Sequence, residues 1–593
     1  MKALFKTTGG SWSSISPFPI AGQLKGYTRG KLASDFRAGF NVAVLSFPVN
    51  MAYALVAGLP ISYGIFSGIV AAIIGLLLCN SVYLTFGPSN ATAVMLLSSF
   101  AAGGIATEAA RAAALPNILL LVGIIMILIS IFKLTFLISY ISRTVIIAHV
   151  TSSALLIVAN QMRNMLGFEY PEGSAPTTLI DTIVVTFNSI GGTQWESVII
   201  VLITFAVFLP LKKFAKKLPA EGITLIVVGI MCYFAVEYGG MEIDRLNGVT
   251  ASSWSMSLPD YNILGIKESA SFALAIALLA IIEAFSIGKS LASQKADRLD
   301  TNQSMFALGT ANVACSLSSS TLASGSLTRS TLAVNSGAKT TLFNLFTAVF
   351  TLIILLMFGS SIAYVPKATL ALIVVYTSVT LIKPRVIKMA LKSTMSDAIV
   401  FIATFSVGVF ATLDDAIYTG IIVSIMLFLK KASAPEVVEY EVGEDGELGI
   451  VHDKKERAEP EVSIVHVEGN MFFGASDILQ NQLRRIAADP NLKILILKLR
   501  NAINLDATSA MDLEELSKRM AQTKRTLLIC EVRPDIMRVL KASGVYNSIG
   551  ADKIFENDDD NPTLSAARAI RKAQEYLKGE NAKVTIYAKQ NEK

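Results

Sequence analysis

One arginine stands among small and hydroxylated residues in LASGSLTRSTLAVNSGAKT, Leu322 to Thr340, between long apolar runs with few other charges. A second stretch of unusual chemistry is TFGPSNATAVMLLSSFAAGG, Thr85 to Gly104, where Gly87-Pro88 interrupts the chain and Ser89, Asn90 and Thr92 follow. A third is ALAIALLAIIEAFSIGKSL, where Glu283 ends about a dozen apolar residues. A charge in a bilayer interior costs at least ~2.5–3.5 kcal/mol, so its default reading is functional. A short helix that starts inside a membrane leaves free N–H groups and the positive end of a dipole, which together suit an anion. Irregular backbone at that depth survives only where protein or a watery cavity satisfies it.

These residue types outline an anion pocket. Ser89 and Asn90 open one interrupted segment; Ser326, Thr328 and Arg329 open the other. The alternative for Arg329 is snorkelling to the headgroups, the role expected of Lys339. Glu283 either takes up a proton or sits near Na⁺, coupling the anion to an ion gradient, or forms a structural ion pair with Arg329. Ser286, one turn further on, is a second oxygen for Na⁺. In LSFPVNMAYALVAGLP, Ser46, Asn50 and Tyr53 share a face and Pro48 breaks the regular hydrogen bonding. Tyr53 either closes the pocket with its hydroxyl or packs. His149 is expected to be a packing histidine.

The rest of the chain says what must hold these residues. Its 593 residues are 53% hydrophobic and only 16% charged, against about 25% charged in an average soluble protein. Residues 39–431 hold repeated apolar stretches near the length that crosses a bilayer as a helix. We read about fourteen spans, with a half-length piece at 182–190 and two helices in 396–431, broken at ATLDDAIYTG. Discontinuous helices in the third and tenth segments fit a seven-plus-seven inverted repeat with a midplane site. The segments divide as follows: 1–38 a cytoplasmic N-terminal segment, 39–431 the transmembrane domain, 432–460 a linker, 461–580 a small α/β domain and 581–593 a tail.

Basic residues orient the spans. With the N-terminus inside, the inner loops carry Lys133, Arg143, KKFAKK at 212–217, Lys289 to Arg298, Lys339, KPRVIK at 383–388 and Lys430-Lys431. The outer loops hold EYPEG, EYGGMEID and LDD. Both termini are therefore expected in the cytoplasm, with the chain multi-pass in the cell (inner) membrane. No cleavable signal peptide is expected before the first span. Four scattered cysteines and three dispersed histidines fit neither a disulfide framework nor a metal site, and the net charge of +6 needs no nucleic-acid partner. No catalytic constellation is visible, so an enzyme is not expected. A membrane sensor that binds without flux is the reading from a different class.

Together these motifs resemble the SulP family of anion transporters. DFRAGFNVAVLSFPVNMAYALVAGLP is similar to the family's first span, LASGSLTRSTLAVNSGAKT to its T-G-S-x-S-R-S segment, and YVPKATLALIVV to its V-P-K-A-x-L box. SDAIVFIATFSVGVFATLDDAIYTGI follows the family pattern as well. The resemblance implies fourteen segments in gate and core domains, a homodimer, Tyr53, Thr328 and Arg329 at binding positions and Glu283 as the coupling acid. It implies secondary active transport of a small inorganic anion with H⁺ or Na⁺ as coupling ion, a sulfate-type oxyanion with H⁺ favoured. Alternatives are a Na⁺-coupled bicarbonate carrier and an uncoupled exchanger. Val49 replaces the family's common glutamine, Leu322 its proline, and Ser319-Ser320 its Gly-Gly. In the tail, NMFFGASDIL and INLDATSAMDL look like a STAS regulatory domain, a surface for a regulatory protein partner. There Thr508 matches a phosphorylation position, with an ordinary N-cap by Asp506 or Thr508 as the alternative.

Overall fold

The computed structural model describes residues 15–578 apart from 106, 136–140, 172–173, 175, 215–219, 239, 257, 260–262, 433–435, 443–447, 451–460, 475, 477–480, 482–491, 559–560 and 562. The expected tail 581–593, and parts of the N-terminal segment, of the linker and of the 212–217 loop, lie outside the described residues. The chain forms two compact units, Met1–Ser424 and Ile425–Lys593.

In the first unit a short α1 (Ile20–Leu24) precedes α2 (Arg29–Val56), α3 (Ile61–Leu78), α4 (Asn90–Ala102), α5 (Glu108–Ile131), α6 (Arg143–Leu166), α7 (Leu179–Ser189), α8 (Trp195–Phe214) and α9 (Ala220–Glu237). Then come α10 (Ile263–Gln294), α11 (Thr301–Ser316), α12 (Leu327–Asn335), α13 (Phe343–Phe358), α14 (Lys367–Leu381), α15 (Pro384–Ser393) and α16 (Met395–Phe410). The last helix, α17 (Leu413–Ala432), runs into the second unit. Among the described residues, eight helices are long and apolar enough to cross a bilayer, and α4, α13 and α16 are shorter apolar helices. The half-length piece at 182–190 is the short α7.

Two groups of helices pack most closely. In one, α2, α3 and α13 pack together, and α5 packs on α10 and α11. In the other, α6 packs on α14 and α16, and α8 on α9 and α14. Part of the first group is pseudo-symmetric: exchanging α2 with α10, α3 with α11 and α5 with α13 turns the α2–α13 and α3–α13 pairings into α10–α5 and α11–α5. The closest crossing, α5 on α11, depends on glycine. A Cβ at Gly123 would stand 2.7 Å from the Gly309 carbonyl oxygen, and one at Gly309 would stand 2.9 Å from that of Gly123. Small residues at such crossings let membrane helices approach closely.

Two expectations change. Residues 383–393, expected as part of a basic loop, form the amphipathic α15. Pro384 starts it, Ile387 and Ala390 turn toward Phe401 and Ala148, and Lys388 and Lys392 stay on its polar side. Asp414, expected in an acidic outer loop, is buried in the first turn of α17, where Ser99 donates to its carboxylate at 3.1 Å.

The second unit is a sheet with helices on both faces. Strands β3 (Glu436–Val442), β4 (Leu448–Ile450), β5 (Val462–Asn470), β6 (Ile494–Lys498), β8 (Thr526–Val532) and β9 (Ile554–Glu556) lie in the order β4-β3-β5-β6-β8-β9, with β7 (Ala502–Ile503) beside β5. β5, β6, β8 and β9 are parallel. Alternate residues serve opposite faces, as the pleat requires. Val465, Leu495, Leu497 and Ile529 pack on helices Ala507–Gln522 and Pro534–Ala542, while Ile464, Ile496 and Leu528 pack on helix Leu564–Lys578. Residues 436–442 and 448–450, expected as linker, supply the antiparallel strands β3 and β4 that extend the sheet.

Candidate functional site

Two interrupted segments meet in the first unit. β1 (Phe86–Gly87) pairs antiparallel with β2 (Ser324–Gly325), Phe86 opposite Gly325 and Gly87 opposite Ser324. The Ser326 amide extends the ladder to the Thr85 carbonyl at 3.3 Å, and the Thr85 amide donates to the Ser330 hydroxyl at 2.9 Å. Each strand is followed by a half-helix, α4 after β1 and α12 after β2. The pairing satisfies backbone that lipid would leave unbonded, which is why non-helical chain persists among apolar spans.

Arg329 lies in the first turn of α12 and is only 3% exposed. Its Nη1 donates to Asn50 Oδ1 at 2.8 Å and its Nη2 to the Pro88 carbonyl at 2.7 Å. Nε is buried with no partner among the described residues. Gly87 makes room for this arrangement. Its φ is +148°, and a Cβ there would stand 3.0 Å from the guanidinium carbon. A side chain at residue 87 would displace the arginine as well as strain the backbone. Arg329 is therefore tied to the first half through α2 and β1 and does not reach outward to headgroups.

Glu283 sits on α10 and links both interrupted segments. One carboxylate oxygen accepts from Ser89 at 2.7 Å and from Ser324 at 2.8 Å. Among the described residues Arg329 and Glu283 form no direct ion pair, because their partners are Asn50 and Pro88 on one side and two serines on the other. Tyr53 stands within electrostatic reach of both charges, and its hydroxyl makes no hydrogen bond among the described residues.

The remaining sequence candidates divide by commitment. Ser89 caps α4, accepting from the Thr92 amide, and donates its hydroxyl hydrogen bond to Glu283. Asn90 donates to Ser378 on α14 at 3.1 Å and leaves its Oδ1 buried without a partner among the described residues. Ser326 precedes α12 but caps nothing, and Thr328 is exposed. Ser286 lies partly buried one turn after Glu283. In the second unit Asp506, not Thr508, caps its helix, accepting from the Ser509 amide at 2.9 Å. Thr508 is exposed in that first turn. His149 is fully buried, with Nε2 3.4 Å from the Ser153 hydroxyl. The Pro88 carbonyl and the Asn50 amide were beyond sequence reasoning as arginine partners, although Asn50 on the polar face of the first span was a signal.

Residues 32–404 match the sulfate permease family and residues 454–561 match the STAS domain. The chain belongs to the sulfate permease family. Its members are transporters, and the chain is accordingly a multi-pass membrane protein with a C-terminal STAS domain. It is 25% identical to the high affinity sulfate transporter 1 of Stylosanthes hamata over 566 residues, covering 91% of this chain and 84% of that one. It is 24% identical to the putative sulfate transporter YvdB of Bacillus subtilis, covering 91% of this chain and 99% of that one. Its fold is similar to that of the murine Solute Carrier 26 family member A9 anion transporter in the inward-facing state, with a TM-score of 0.82 at 18% identity over 97% of each chain. The transmembrane domain of the cyanobacterial bicarbonate transporter BicA aligns with a TM-score of 0.58 at 19% identity, covering 67% of this chain and 98% of that one.

Proposed function

We propose that this sulfate permease family member is a secondary active transporter of a sulfate-type oxyanion, coupled to protons through Glu283. One observation carries the reading: the buried Arg329 holds two nitrogens on protein oxygens while Nε stays free beside the uncapped start of α12. A free cationic donor, unsatisfied helix amides and the uncommitted hydroxyls of Tyr53, Ser326 and Thr328 are the groups a tetrahedral oxyanion would engage. The names of the plant and bacterial relatives agree with that class.

Glu283 supplies the coupling in this reading. Its carboxylate bridges α10 to the cap of α4 and to β2, so a proton gained there weakens two hydrogen bonds that join the half-helices. Movement of the α2–α5 and α10–α13 group against the α6, α8, α14 and α16 group would then expose the pocket to each side in turn. The basic loops support a cytoplasmic position for both termini, with Na⁺ near Glu283 and Ser286 as the alternative coupling and a homodimer as the expected assembly.

Uptake of labelled sulfate and bicarbonate into vesicles of the purified protein, under an inward proton or sodium gradient, tests this directly. Proton-driven sulfate accumulation is the expected result. Sodium-driven bicarbonate uptake would replace the assignment, and binding without flux of either ion would contradict transport of this class.

A further inference from the structure

Away from Arg329, a cavity of about 1150 Å³ opens among the segments at the basic ends of the helices in the first unit. The stretch from α1 into the start of α2, the connection from α3 to β1, the end of α10 with its turn to α11, and the end of α12 with the turn after it build it. Six cations line it: Lys25, Lys31, Lys289, Lys295, Arg298 and Lys339. Its two carboxylates are already used. Asp297 accepts from the Tyr83 hydroxyl at 2.9 Å and from the Arg298 amide at 2.7 Å, and Asp300 caps α11 through the Gln303 amide at 3.1 Å. None of the six cations forms a salt bridge among the described residues. Lys31 reaches only the Gly26 carbonyl, and Lys289 lies over the Phe285 ring.

The tendency of basic residues to stay inside explains cations on this face but not their convergence from three separate segments on one cavity. The space is of the size that holds an organic ligand, ~300–1,000 Å³, and far exceeds one small oxyanion. Lysine and arginine together suit phosphate groups, arginine through paired donors and lysine as a point charge.

We propose that this cavity binds a multiply phosphorylated anion, either a soluble polyphosphate or a phosphoinositide headgroup, at a site separate from the Arg329 pocket. Its walls include the end of α10, which carries Glu283, and the turn after α12, which carries Arg329 at its other end. Asp35 holds that turn, accepting from the Lys339 amide at 2.6 Å and the Thr340 hydroxyl at 2.6 Å. A polyanion bridging Lys295 or Arg298 to Lys339 therefore braces α10 against α12, so occupancy regulates the movement of the two helices that hold the anion site.

The test titrates inositol hexakisphosphate into the full chain in phosphatidylcholine nanodiscs at low salt, and repeats the measurement in nanodiscs containing phosphatidylinositol 4,5-bisphosphate. Binding should weaken at least ~10-fold, or about 1.4 kcal/mol, in the double variant Lys295→Glu with Arg298→Glu. Both changes are exposed, and the variant's sulfate binding reports that it is folded. Binding of the free probe points to a soluble ligand, and an effect confined to the phosphoinositide nanodiscs points to the membrane. Arg329→Ala should retain the binding, which keeps failure here distinct from failure of the transport assignment. No binding of either probe, equal binding in the double variant, or loss in Arg329→Ala with displacement by sulfate would overturn the proposal. The last outcome would make the cavity an antechamber of the transport path.

Discussion

The half-helices α4 and α12 occupy corresponding places in the two halves, yet they are finished differently. Ser89 caps α4 and donates a hydrogen bond to Glu283, and the helix sequence NATAVMLLSSFAA carries no charge. Ser326 leaves α12 uncapped, and Arg329 stands in its first turn. The inverted repeat thus sets a symmetric frame, β1 against β2, while the chemistry is one-sided. The first half supplies oxygens that hold the arginine, Asn50 and Pro88; the second supplies the charge and the open amides. An anion needs an unsatisfied donor, and among the described residues the second half-helix holds a charged one, Arg329 Nε.

The sharpest way to break this comparison is to remove the charge. Arg329→Ala should weaken sulfate binding by ~1.5–3 kcal/mol, roughly 10- to 150-fold, because one charged hydrogen bond disappears and Asn50 loses its donor. Equilibrium titration of the purified variant measures it, with unchanged affinity excluding the α12 site. Glu283→Gln should preserve exchange of anion for anion but abolish gradient-driven accumulation; persistent uphill uptake would remove the carboxylate from the coupling role.

Smaller effects sharpen the asymmetry. Gly87→Ala pushes a Cβ against the guanidinium, and overpacking of this kind costs ~1–3 kcal/mol. Reduced affinity with normal expression is expected, and a variant with native affinity would show that the arginine does not depend on this contact. Ser89→Ala should destabilise the protein by about 1 kcal/mol through loss of the cap, whereas Ser326→Ala should leave thermal stability nearly unchanged. Equal losses from the two serines would erase the distinction between the half-helices.

The smallest effect lies in the STAS unit and serves as a control. Burial, reinforced by Lys498 and partly opposed by Glu468, pushes the His466 pKa down. A lowered value favours the neutral ring in the folded state. Its contribution is therefore complete above the ordinary value of ~6.5 and is lost as pH falls below it. Hydrogen exchange of β5, corrected for intrinsic rates, should quicken on acidification through that range in the wild type but less in His466→Gln. Anion affinity should be the same in both proteins.

Much of this was legible in the sequence because its causes are local. Apolar runs of spanning length give the helices, Gly87-Pro88 and the serine-rich 316–326 stretch give the interruptions, and Arg329 and Glu283 are conspicuous as charges in apolar surroundings. Contacts across long separations were not legible. Pairing Arg329 with Asn50 and Pro88 rather than Glu283 depends on how α2 packs on α12 and α4, which no local pattern encodes. Asp414 reads as a loop residue because its neighbour Asp415 is also acidic, but α17 starts one residue earlier and turns it toward Ser99. In α15 the basic residues suggested a loop, although the spacing of Val386, Ile387 and Ala390 is helical. Strands β3 and β4 were hidden because Glu436, Glu439 and Glu441 make the stretch look like linker.

The most direct test locates the anion itself. A crystal structure of the protein with selenate, whose selenium scatters anomalously, should show one peak between the starts of α4 and α12, in hydrogen-bond range of Arg329 Nε and the first α12 amides. A peak elsewhere, with Nε still unpartnered, would contradict the account.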